Sequence, residues 1–88
     1  MSAFLGGSAY GMVRDIAEGY VIANELTFRK FQHPDFQTFG FEAEKLMREI
    51  RAAVPQTGDV DATQKRHRRM QRLQQAMTIS TNVRSRLR

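Results

Sequence analysis

The sequence predicts a small all-α protein of three helices, and three observations lead there. Apolar residues recur at intervals of three and four over most of the chain, the spacing that lines one side of a helix. Breaks at Gly6-Gly7, His33-Pro34 and Pro55 to Gly58 divide the chain into stretches of helical length. The sequence has no cysteine, so a small core cannot lean on a disulfide framework. At 88 residues the chain fits one domain. A domain of this size buries only about 60–65% of its unfolded surface, so the core is expected to be thin. Residues 1–7 are expected as a flexible leader and residues 8–88 as a single helical domain, folded as a bundle or an extended helical hairpin.

The first helix is predicted over residues 9–31. Ser8 is placed to cap it, and Ala9, Val13, Ile16, Tyr20 and Ala23 form its stripe. Gly11 and Gly19 lie eight apart on nearly one face, which suits either a close backbone approach or a weakened helix. Proline disfavours a helical residue before it, so His33-Pro34 is read as a break and Asp35 as the next cap.

The second helix, residues 36–54, has the cleanest pattern. Phe36, Phe39, Ala43, Leu46, Ile50 and Ala53 are spaced 3-4-3-4-3, a heptad seam suited to packing on another helix. Pro55 and Gly58 end it. Asp61 to Gln64 resembles a capping box opening the third helix, residues 62–87. Its stripe is narrower: Met70, Leu73, Met77 or Ala76, Ser80, Val83 and Leu87. The turns from Gln64 to Arg69 carry nothing strongly apolar and are expected to project into solvent or onto a partner.

Charge is divided along the chain. Residues 1–61 carry six cations against nine carboxylates, whereas residues 62–88 carry eight cations and no carboxylate. Lys65, Arg66, Arg68, Arg69 and Arg72 wrap the front of the third helix, and Arg84, Arg86 and Arg88 sit at its end. Cations in a last turn suit the helix dipole, but cations in the first turns oppose it and repel one another. An offsetting negative charge is therefore expected. Arginine outnumbers lysine seven to one there, and its planar donor fork suits carboxylates and phosphates. These eight residues are the candidate anion- and partner-binding set.

Catalytic chemistry is not expected. The two histidines, His33 and His67, have no ligand or carboxylate partner at metal spacing, and no phosphate-binding glycine loop is present. No metal or cofactor is anticipated. No run approaches the ~20 apolar residues of a spanning helix, and no secretory signal pattern opens the chain. A cytoplasmic location is the default, with export through a specialised machine left open.

The function expected is that of a non-enzymatic subunit or adaptor of a larger assembly, docking through the basic helix and the apolar seam onto a protein partner or further copies of itself. Non-specific nucleic-acid binding through the Lys65 to Arg72 cluster is the alternative, though no aromatic is interleaved there for stacking. The segment Met70 to Leu87, MQRLQQAMTISTNVRSRL, resembles the C-terminal segment of the flagellar hook–basal body rod adaptor family, related to type III secretion inner-rod proteins. The resemblance implies an axial, exported helical building block in which Val83, Arg84 and Leu87 are packing positions. The chain departs from that family in its RHRR cluster and in stopping at Arg88, where the family's helix continues.

Overall fold

The computed structural model describes residue 4 and residues 7–87. Three helices, α1 (Ala9–Glu18), α2 (His33–Ala52) and α3 (Val60–Ser85), pack pairwise into an elongated bundle of 48 × 22 × 19 Å. A single 3-10 turn at Glu25–Phe28 interrupts the connection between α1 and α2. No strand occurs among the described residues.

Ser8 caps α1 as expected, its Oγ accepting from the Gly11 N–H at 3.0 Å. The helix is far shorter than residues 9–31. Gly19 takes a left-handed conformation, φ +86°, and ends it. The Gly19 N–H then bonds the Ile16 carbonyl and the Tyr20 N–H reaches back to the Asp15 carbonyl at 2.9 Å, the paired bonds of a Schellman motif. The apolar spacing that ran through Tyr20 and Ala23 therefore belongs to no helix, and Tyr20 is 81% exposed. The two glycines form no shared groove, because Gly11 faces its own cap and Gly19 is the stop. Met12, Val13, Ile16 and Ala17 make the buried face of α1.

The connection that replaces the rest of the expected helix is itself part of the core. Asn24 and Thr27 exchange side-chain and backbone hydrogen bonds at 3.0–3.1 Å across the 3-10 turn. This fixes Phe28 and Phe31 inward, both essentially solvent-free. Phe28 meets Phe39 edge to face with ring centroids 5.0 Å apart. Phe4, expected in a loose leader, packs edge-on against Phe31 at 5.1 Å. The other leader residues except Gly7 lie outside the described ones.

Helix α2 begins at His33, three residues before the expected start. Proline is tolerated in a first helical turn, where its missing N–H has no partner to lose. Asp35 is not the cap. It sits one turn in, and its Oδ2 accepts the Gln32 N–H at 2.8 Å. Phe36, Phe39, Ala43, Leu46 and Ile50 are all buried, and Met47 widens the seam into a globular core face. Ala53, expected in the seam, is exposed, because the helix ends at Ala52 ahead of Pro55.

Helix α3 is capped by Asp59, whose Oδ1 accepts the Ala62 N–H at 3.0 Å, two residues before the expected Asp61. Leu73, Ala76 and Ser80 are buried along its inner face, flanked by half-buried Met70, Met77, Ile79, Val83 and Leu87. Ser80 satisfies its hydroxyl by donating to the Met77 carbonyl at 2.9 Å. The helix ends at Ser85, so Leu87 packs on the core from just beyond it.

Candidate functional site

The basic front of α3 does not stand clear of the fold, contrary to the expectation for its first turns. It lies across the carboxyl ends of both other helices. The last carbonyls of a helix lack intrahelical donors and carry the negative end of its dipole. Arg66 donates from Nε to the Ile50 carbonyl and from a terminal nitrogen to the Arg51 carbonyl, both at 3.1 Å, closing the end of α2. Arg72 donates to the Ala17 carbonyl at 2.9 Å, closing the end of α1. The Schellman bonds take the Asp15 and Ile16 carbonyls and leave that of Ala17 for Arg72. The guanidinium packs against Gly19, where a Cβ would come within 3.1 Å of its Cζ.

Arg69 makes an ion pair with Glu18, Nε to Oε1 at 3.0 Å. The approach lies off the N–H axis, so the attraction is Coulombic without a formed hydrogen bond, and the Nε is shielded from solvent. The negative charge anticipated for the basic turns is thus supplied in part from within: two helix ends and one carboxylate.

Lys65 and Arg68 are different. Both are exposed, and neither makes a side-chain hydrogen bond or ion pair among the described residues. With Arg69, Arg72 and Glu18 they surround an open hollow of about 340 Å³. Four cations against one carboxylate leave it strongly positive. A second hollow, about 280 Å³, adjoins it and shares Lys65 and Arg69; Ile50, Ala53, Pro55 and Ala62 give it an apolar wall. A third, about 300 Å³, adjoins on the other side through Arg72 and is walled by Val21, Ile22 and Ala23. Neighbouring hollows share these lining residues, and the row of three beside α3 is termed the furrow.

The second cluster does not join this furrow. Arg86 pairs with Glu25 at 2.9 Å at the far end of α3. That hydrogen bond, and the charge beside it, hold the exposed Glu25 carboxyl below its ordinary range. Arg84 is exposed in the last turn, and Arg88 lies outside the described residues.

The seam residues expected to pack helices, Phe36, Phe39, Ala43, Leu46, Ile50 and Leu73, are consumed inside this chain. Met77, Val83 and Leu87 are half-buried against the same core. Phe41 is 61% exposed on the outer face of α2. The walls of the two flanking hollows were missed, because Ile22 was assigned to a helix and Ala53 to a seam. The signal that finds Ile22 is Gly19 read as a stop, and the one that frees Ala53 is Pro55 read as ending α2 earlier. No cluster of three or more metal-ligating side chains occurs among the described residues, and none of their helices is long and apolar enough to cross a membrane.

No protein-family model, curated protein or solved structure matches the chain, so the furrow and its cations stand as the basis for assigning a role.

Proposed function

We propose that this chain is a non-enzymatic protein-binding subunit of a larger assembly, docking an acidic stretch of another protein on the cationic furrow of α3. The observation that carries this reading is the division of labour among four cations around one hollow. Arg69 and Arg72 are positioned by Glu18 and the Ala17 carbonyl, while Lys65 and Arg68 are unpaired beside them. Positioned guanidinium groups lose less side-chain freedom when a carboxylate arrives, which favours binding. The apolar seam, by contrast, is occupied by the chain's own core, so docking rests on the furrow beside the basic helix.

Two features favour a protein over a nucleic acid. Glu18 sits within the positive hollow and interrupts any continuous phosphate track. The aromatic rings that stack bases in single-strand binders are here mostly inside the core. A different chain is favoured over a second copy, because Glu42, Glu44 and Glu49 on α2 are interleaved with Lys45, Arg48 and Arg51 and make no continuous acidic face.

The test is native purification of the intact protein beside its Lys65→Glu/Arg68→Glu variant. The expected result is a stoichiometric protein partner with an acidic segment, lost on charge reversal. Nuclease-sensitive nucleic acid in its place, or self-assembly by sedimentation velocity that survives charge reversal, would overturn the proposal.

A further inference from the structure

The furrow is not uniformly charged, and its pattern specifies more than an anion. Its three hollows follow one face of α3, through Ala62, Lys65, Arg69, Arg72 and Gln75, at intervals of three and four. That row spans about 20 Å at 1.5 Å per residue. Its middle is walled by four cations and Glu18. Its first end sets Ile50, Ala53, Pro55 and Ala62 beside Lys65, Arg66 and Arg69, and its other end sets Val21, Ile22 and Ala23 beside Gly19, Arg72 and Gln75. Ile22 is 82% exposed, and Ala53 is exposed at the first end. Ile22 and Ala53 have no place in the chain's own core, unlike Val21, Ala23 and Ile50 beside them.

We infer that the occupant is an amphipathic helix of about four turns from a partner protein, with carboxylates in its two middle turns and apolar side chains in its first and last. The inference rests on the proposed protein-binding role and adds the partner's pattern to it. Charge complementarity selects the middle. The Lys65 and Arg68 groups meet glutamates directly, and Arg69 and Arg72 contribute charge from fixed positions. Apolar complementarity selects the ends, where side chains such as leucine cover Ile22 at one and Ala53 and Pro55 at the other. A helix suits the furrow because residues three and four apart share one face, matching the spacing of the row on α3. A phosphate backbone, already interrupted at Glu18, gains nothing from the apolar side chains at the ends.

The full chain is titrated, by fluorescence anisotropy at physiological salt, with two labelled alanine-based peptides of identical composition. One carries glutamates in the two middle turns and leucines in the outer turns; the other reverses these positions. The patterned peptide is expected to bind at least tenfold more tightly and to gain helical circular dichroism on binding. Ile22→Ser, which introduces no charge at a side chain 82% exposed, is expected to remove most of that preference. Equal affinity for the two peptides, or a preference that survives Ile22→Ser, overturns this inference and leaves the protein-binding role standing. Failure of both peptides and of polyglutamate to bind overturns the role itself.

Discussion

The two ends of α2 are held by opposite chemistry. At its start, Phe36 and Phe39 enter a cluster with Phe28 and Phe31, rings edge to face and water excluded. At its finish, Ile50 and Arg51 hand their carbonyls to Arg66, at a half-exposed surface. Burial of rings is non-directional and indifferent to salt. Guanidinium-to-carbonyl bonds are directional, screened by salt and able to keep spare donors for a ligand. The contrast separates a part of the molecule that holds the fold from a part that holds the fold and faces outward.

The largest effect is expected at the aromatic end. Phe39→Ala removes a solvent-free ring that contacts Phe28 and Phe31, at a cost of about 3–5 kcal/mol. Urea unfolding should show that loss undiminished in 1 M salt; a loss below 1 kcal/mol would break the contrast. At the other end, Arg66→Ala removes two charge-assisted bonds at a partly exposed site, for about 1–2 kcal/mol. Arg68→Ala, two residues away and unpaired, is expected to change stability by less than about 0.5 kcal/mol. Equal effects of these two substitutions would mean that the carbonyl bonds of Arg66 add nothing.

The smallest effect belongs to the exposed Arg86–Glu25 pair. The Glu25 carboxyl is lowered in the folded chain, so its contribution is fully present above the ordinary glutamate range, near ~4.3, and fades as pH falls through the lowered folded value. Comparing melting temperatures of wild type and Glu25→Gln across pH 2 to 7 should show a slight deficit of the variant at pH 7 that closes in acid. A deficit that grows in acid would contradict the assignment.

What was legible in the sequence was local. The α2 seam repeats within one helix, so its spacing alone exposes Phe36 to Ile50 as core. The Asp-rich entry to α3 likewise announces a cap, with the true one at Asp59 displaced by two residues from Asp61. The span of α1 was misread because apolar spacing ran on through Tyr20 and Ala23, while the conformational freedom of Gly19 decides the matter at a single residue. The anchoring of the arginines was illegible for a different reason. Their acceptors are backbone carbonyls 15, 16 and 55 residues away, and every residue type offers a carbonyl. Sequence showed a surplus of positive charge needing an offset; only the fold shows that much of the offset is main chain.

The bond from Arg72 to the Ala17 carbonyl has a consequence for how the molecule opens. A ten-residue helix with a glycine stop would ordinarily fray from its last turn without disturbing its neighbours. Here that last turn is bonded to the middle of the longest helix, so unwinding it costs the Arg72 bond as well as its own. The first and third helices should thus surrender their amide protons to deuterium together, as a single cooperative unit, although some fifty residues of chain lie between the bonded pair.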